Sequence, residues 1–213
     1  MKISLLFTTA RQNLIERVRE RWLKNLTKLD DVEMIIVTDT GYRDNGRHRS
    51  RCKYYTNTGR RDCVTGWNLA AKHATGDVFI QVSDDLYPPH DWCPKIRQIV
   101  QTINAPFLVL NLLDDRLCKT CIFHPIITRD VYDRLGYFYP PDFQSMFCDN
   151  WLFLYASKYC SLVHSEKFFW EHKHRTTHKT VTIDKVTLEH ESKNRYEAGR
   201  RTLERLIIEQ ELL

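Results

Sequence analysis

Three short apolar runs, each ending in a polar cluster and separated by helix-like segments, constrain this chain more than any other feature. Ile3-Ser4-Leu5-Leu6-Phe7 ends in Thr8-Thr9-Ala10-Arg11. Met34-Ile35-Ile36-Val37 ends in Thr38-Asp39-Thr40-Gly41, and Val78-Phe79-Ile80-Gln81-Val82 in Ser83-Asp84-Asp85. Such runs have the length and composition of buried strands. Leu14, Ile15, Val18, Trp22 and Leu26 recur at three- and four-residue spacing, one apolar stripe on a helix, with Arg17, Arg19, Glu20 and Lys24 largely off it. A second helix is expected from Asp62 to Ala74, and a third carries Trp92, Ile96, Ile99, Val100 and Ile103. Strand–helix alternation implies parallel pairing in a doubly wound sheet, whose ligands bind beyond the carboxyl ends of the strands. The polar ends at Thr8–Arg11, Thr38–Gly41 and Ser83–Asp85 should therefore share one crevice.

The second half is less regular. Strands are expected at Phe107–Leu112 and Cys121–Ile127, then a short helix from Asp130 that Gly136 caps. Tyr137 to Phe143, with Pro140-Pro141, reads as a loop, Asp149 to Tyr159 as a helix, and Leu162 to Trp170 as strand-like. Lys185 to Leu213 is predicted as one charged amphipathic helix with Tyr196, Leu203, Leu206 and Ile207 on its apolar side. The 213 residues are 42% hydrophobic, enough for one core, and no repeat or long linker divides them, so a single folding unit is expected.

A formal charge of +5 suits an anionic ligand such as a nucleoside diphosphate, and equally weak nucleic-acid binding. The opening apolar run is too short for a signal-peptide core or a membrane span, and no later stretch reaches that length. The seven scattered cysteines lack the density of a disulfide scaffold, which points to a soluble protein in a reducing, cytoplasmic compartment. Cys118-Lys119-Thr120-Cys121 has the gap of zinc knuckles and redox motifs, but no second pair accompanies it and it reads as incidental.

Adjacent carboxylates just past a buried strand must be solvated, paired or bound to a cation. Ser83-Asp84-Asp85 therefore either caps the following turn or presents oxygens to Mg²⁺ or Mn²⁺ bridging a diphosphate. In Trp170-Glu171-His172-Lys173-His174 two imidazoles two residues apart face one side of an extended segment, as solvated surface or as metal ligands. Asp149, at an expected helix start, is a dipole partner or a general base. Tyr42 to Arg61 interleaves seven basic residues, Arg61 the last, with three tyrosines. It reads as a loop beside the diphosphate, or as a binding surface for single-stranded nucleic acid.

In this order the motifs resemble the GT-A glycosyltransferases, Rossmann-like nucleotide-diphospho-sugar transferases with a mixed, mainly parallel sheet flanked by helices, and in particular the inverting family 2. The resemblance spans about residues 3 to 175. It implies that Asp39, at the end of the second strand, contacts the nucleobase. Trp67-Asn68-Leu69-Ala70-Ala71-Lys72-His73-Ala74-Thr75-Gly76-Asp77 matches the helix and Gly-acid pair that precede the metal-binding Asp-x-Asp. Ser83 takes the place of the first aspartate of that motif and Asp85 is the second, so Asp85 is the implied metal ligand and Asp84 assists the metal or the donor. Leu135-Gly136-Tyr137-Phe138 and Cys148-Asp149-Asn150 match the later aromatic/Gly segment and acidic pair, which makes Asp149 the implied base and His172, or alternatively His174, the late metal ligand. Thr8, Thr9, Arg11, Asp39, Arg61, Asn68, Ser83 and Asp84 form the expected nucleotide and donor set. By the same implication, residues 1–105 are a nucleotide-binding half, 106–184 an acceptor and catalytic half, and 185–213 a C-terminal helix. The chain also looks like chlorella-virus glycosyltransferases that decorate capsid glycans, which implies a UDP-sugar donor, a hexose or deoxyhexose, a glycan or glycoprotein acceptor, and the host cytoplasm. Two other readings exist. A nucleotidyltransferase usually carries a Gly-rich phosphate loop after its first strand, and Thr8-Thr9-Ala10-Arg11-Gln12-Asn13 has no glycine. A nucleic-acid-binding module, or a transferase acting on nucleic-acid bases, would use the basic segment 42–61.

Overall fold

The computed structural model describes residues 1–42, 49–114, 118–166, 169–173, 184–190 and 192–213. Strands β1 (Ile3–Thr9), β2 (Val32–Thr38), β3 (Cys52–Thr56) and β4 (Val78–Val82) run parallel, with helices α1 (Ile15–Leu23) and α2 (Cys63–His73) between β1 and β2 and between β3 and β4. A short strand β5 (Leu86–Tyr87) and helix α3 (Trp92–Ile103) follow. Strands β6 (Leu108–Asn111) and β7 (Ile126–Thr128), helices α4 (Arg129–Leu135) and α5 (Cys148–Tyr159), and strand β8 (Ser161–His164) come next. The seven-stranded sheet has the order β3-β2-β1-β4-β7-β6-β8, with β7 antiparallel to both neighbours. Strand β9 (Glu171–His172) pairs antiparallel with β5 in a separate ribbon.

Alternation along each strand builds two apolar layers, as the pleat requires. Ile3, Leu5 and Phe7, Met34 and Ile36, and Val78, Ile80 and Val82 face α1 and α3, packing with Val18, Trp22, Trp92 and Ile96. Leu6, Ile35, Val37 and Phe79 face the other way, toward Val64, Ala70 and Ala71 of α2 and Trp151 and Leu152 of α5. The result is the mixed, mainly parallel sheet flanked by helices that the motifs imply. Two glycines let the backbone approach closely. A Cβ on Gly66 would lie 1.9 Å from Thr8 Oγ1, and one on Gly76 2.8 Å from the Ser4 nitrogen, so α2 and the turn before β4 rest directly on β1.

Four expectations need correction. The basic stretch is not all loop: Cys52–Thr56 within it forms β3, where Cys52 and Tyr54 pack on one apolar layer and Tyr55 on the other. The strand expected at Cys121–Ile127 is confined to Ile126–Thr128, since Pro125 has no N–H to give a ladder and the Ile122 N–H instead donates to the Asp149 carbonyl. The strand expected across Leu162–Trp170 splits, β8 ending at His164 and β9 starting at Glu171. The C-terminal helix is two, α6 (Lys185–His190) and α7 (Lys193–Glu209), the second with Ser192 at its N-cap.

Candidate active site

The register of the parallel strands places Thr9 beside Thr38, and Phe7 beside Val82, so residues 8–11, 39 and 83–85 leave the sheet at one edge. Arg11 links this edge to the C-terminal helices. Its Nη1 donates to Asp84 Oδ2 at 2.9 Å, while Nε and Nη2 grip both oxygens of Asp184 at 2.7 and 2.8 Å, and Nη2 also reaches Thr187. The Asp184 hydrogen bond leads in holding Arg11 charged, and Asp184 is in turn held well below the usual carboxylate range, first by Arg11. Burial pushes Asp84 up, with the charges of Asp85 and Asp184 adding to it and Arg11 only partly offsetting it.

Asp85 meets His172 because β5 and β9 pair. Leu86 stands opposite His172 in that ribbon, and the Lys173 N–H donates to the Asp85 carbonyl at 2.9 Å. Asp85 Oδ2 then lies 3.1 Å from His172 Nε2. On its other side His172 Nδ1 is 2.8 Å from Asp114 Oδ2 and 3.2 Å from His124 Nε2. Asp114 is brought there by a parallel bridge to Trp170, and Trp170 is locked among Trp22 and Phe169. Asp114, His124 and His172 are buried, whereas the Asp85 side chain keeps about a third of its surface exposed. Burial raises the Asp85 carboxyl, but the His172 hydrogen bond and the charges of His172 and His124 outweigh it and hold Asp85 well below the usual range.

The donor set fits a divalent ion. The charged His172 donates to Asp85 through Nε2; were Nε2 to lose that proton while Nδ1 kept donating to Asp114, which can only accept, the Nε2 lone pair would face the Asp85 carboxylate. Two acceptors at 3.1 Å need a proton or a cation between them. On the Nδ1 side of His172, Asp114, His124 and His172 offer ligand atoms within 4.8 Å of one another, and the buried Ser83 hydroxyl lies close enough to Asp85 to help hold its carboxyl down. Mixed carboxylate and imidazole donors suit Mn²⁺ better than Mg²⁺, which prefers oxygen alone.

The remaining expected site residues are placed as follows. Asp39, half-buried, accepts from Asn57 Nδ2 at 3.2 Å, and Asn57 also fastens the turn at Gly59 and Arg60. Asp149 lies in the first turn of α5, and its charge acts on Tyr139 and Cys148. Other members of the donor set are engaged by the protein itself. Thr8 faces Gly66, Thr9 Oγ1 accepts the Arg11 N–H, and Asn68 bonds the backbone of Phe138 and Tyr139 through three contacts. Arg61 is exposed, with its carbonyl toward Arg195. His174 and residues 43–48 of the basic stretch lie outside the described residues. The rest of that stretch is largely engaged within the fold: Arg51 donates to the carbonyls of Thr27, Asp30 and Val32, Lys53 pairs with Glu33, and Tyr55 stacks on His73. Sequence reasoning missed Asp114 and His124. Each stands where an apolar run ends or begins, the same signal that singled out Asp39 and Asp85.

The chain belongs to glycosyl transferase family 2, whose family model matches residues 9–169. Its structure is similar to glucosyl-3-phosphoglycerate synthase from Mycobacterium tuberculosis in complex with Mn²⁺, UDP-glucose and phosphoglyceric acid (TM-score 0.65, 11% identity, covering 95% of this chain and 80% of that one). It is also similar to residues 1–349 of TarS from S. aureus in complex with UDP-GlcNAc (TM-score 0.63, 15% identity, covering 98% and 67%). A third similar structure is the mannosyltransferase PcManGT from Pyrobaculum calidifontis with GDP-Man and Mn²⁺ (TM-score 0.62, 13% identity, covering 97% and 75%). Against two other TarS structures the chain spans 60% of the 1–349 fragment and 36% of the longer chain. It matches no curated protein sequence significantly. The fold is GT-A, that of a sugar-transferring enzyme family. Among the described residues no helix is long and apolar enough to cross a membrane.

Proposed function

We propose that the protein transfers a hexose or deoxyhexose from a UDP-sugar to a glycan hydroxyl, with inversion, in a reaction that requires Mn²⁺ or Mg²⁺. The observation that carries this reading is the meeting of Asp85 and His172 at the edge where β1, β2 and β4 end, backed by Asp114 and His124. Asp85 and His172 would hold the ion, with Asp114 and His124 behind them. Bound there, the ion would neutralise the departing diphosphate, so that no acidic side chain has to protonate it. Asp39 and Arg11 hold the nucleotide, and Asp84 sits beside the donor. Asp149 takes the acceptor hydroxyl proton as that oxygen bonds to the anomeric carbon and the bond from that carbon to the diphosphate breaks. A glycan on a glycoprotein, possessing a free hydroxyl, is the acceptor implied by the likeness to capsid-decorating enzymes.

Thermal unfolding with UDP, GDP, CMP and ADP, each with Mn²⁺ and with chelator, tests the donor site. UDP at a hundredfold over its dissociation constant should add about 2.7 kcal/mol, a rise of roughly 5–10 °C that chelator abolishes. The absence of a shift with every nucleotide would overturn the proposal, and a product of retained anomeric configuration would overturn its inverting step.

A further inference from the structure

The dithiol Cys118/Cys121 is a motif that the proposed transfer reaction leaves unused. Its spacing alone reads as incidental, but its geometry does not. The two Sγ atoms lie 2.7 Å apart, well inside the contact distance of two sulfurs. Both backbone carbonyls are pinned by one side chain, Asn111 Nδ2 donating to Cys118 at 3.3 Å and to Cys121 at 3.1 Å. That amide, at the end of β6, also lies 3.1 Å from His164 Nδ1 of β8, so the sheet itself anchors the turn. Lys119 and Thr120 are exposed, Cys118 is half-buried and Cys121 is buried. One sulfur is thus open to a solution reagent, and the other waits behind it.

The seven cysteines differ in chemistry. Burial pushes the thiols of Cys63, Cys93, Cys148 and Cys160 up, which keeps them protonated and unreactive. Burial also acts against ionisation of Cys118, but hydrogen bonds with Cys121 and Thr120 outweigh it and bring that thiol below its usual value. An accessible thiol of lowered pKa next to a resolving cysteine is the arrangement of a thiol sensor.

We infer that Cys118 and Cys121 form a reversible thiol–disulfide site, oxidised by small-molecule disulfides of the glutathione class. The Cys118 thiolate attacks one sulfur of glutathione disulfide and expels a glutathione thiolate. The Cys121 thiolate then attacks Cys118 Sγ, the Sγ–Sγ bond forms, and a second glutathione leaves. The two thiol protons end on the two glutathiones, which have taken up two electrons. The dithiol is joined along the chain to residues of the candidate active site: the N–H of Ile122, next to Cys121, donates to the Asp149 carbonyl, and His124 is three residues beyond Cys121.

The test incubates the full chain in glutathione buffers of increasing disulfide content, alkylates the remaining thiols, and maps the peptides by mass spectrometry. We expect the peptide holding both residues to lose its two alkyl groups together and regain both on return to reduced glutathione. In Cys121→Ser, Cys118 should instead be trapped as a stable glutathione adduct, and Cys93→Ser should behave as wild type. Full alkylation of both thiols in the most oxidising buffer would overturn the inference, as would pairing with another cysteine or failure to regain the labels. The wild-type mapping decides the matter if a variant does not fold. Because the readout is covalent labelling, it is independent of whether the protein transfers a sugar.

Discussion

At the residue scale, the proposed ion would sit on the Nε2 side of His172 with Asp85, while Asp114 and His124 lie on its Nδ1 side. Replacing Asp85 by Asn or His172 by Ala removes a donor that faces the crevice, and either change should abolish the Mn²⁺-dependent rise in Tm with UDP. Asp114 touches the face of His172 that points away from Asp85. Asp114→Asn should therefore weaken Mn²⁺ binding by roughly 10–100-fold while leaving the ligands in place, as losses of partners behind metal-bound histidines do; titration calorimetry with Mn²⁺ checks it. Asp149→Asn should lower kcat by roughly 10²–10⁴-fold. Nucleotide and Mn²⁺ binding should stay at wild-type levels, and an enzyme that keeps full turnover would remove Asp149 from its role. Asp85 was legible as a carboxylate at a strand end. Asp114 was not, because its importance comes from a bridge to Trp170, 56 positions along the chain by residue number.

At the element scale, the site depends on how closely helices and strands approach. Gly66 of α2 lies over Thr8 of β1, where a Cβ would come within 2.7 Å of Thr8 Cβ. Gly66→Ala should cost about 1–3 kcal/mol through overpacking and shift Thr8, measurable as a lower urea midpoint with an unchanged m-value. The ribbon of β5 and β9 is only two residues long on each side and relies on its neighbours. Trp170 precedes it, fully buried, with its ring centroid 5.6 Å from that of Trp22. Trp170→Ala should cost about 3–5 kcal/mol and loosen both Asp114 and His172, so its Mn²⁺ affinity should fall along with its stability. The strands β1, β2 and β4 were plain in the sequence because they are buried on both faces and read as continuous apolar runs. β3 was hidden: it lies at the sheet edge, and its residues alternate between charged, aromatic and half-buried positions.

For the whole molecule, Glu33 is a junction whose ionisation ties several parts together. Its buried carboxylate accepts from Ser4 on β1, Lys53 on β3 and both the N–H and hydroxyl of Thr75 before β4. Burial raises Glu33, but these donors outweigh it and bring its pKa from 4.5 to about 2. A lowered folded-state pKa stabilises the fold above the unfolded value, and that contribution is lost as pH falls. Stability should therefore decline between about pH 4.5 and about pH 2. The loss is up to about 3 kcal/mol, less to the extent that solvent screens the half-exposed Lys53. Urea unfolding across that window checks it, and Glu33→Gln should flatten the dependence.

What the sequence determined by itself was the short-period pattern of the buried strands and the amphipathic helices. Alternating apolar runs and helical stripes set the doubly wound sheet, and the polar strand ends marked the crevice with Thr9, Asp39 and Asp85. Local pattern suffices there because burial on two faces and helical amphipathicity are properties of a few consecutive residues. The tertiary structure decided what depends on distant segments meeting. It placed Asp114 and His124 behind His172, turned Asn68 to the backbone at Phe138 and Tyr139, and joined Arg11 to Asp184. Those contacts arise from packing and hydrogen-bond satisfaction across separations of 48 to 173 residues, which no local pattern encodes.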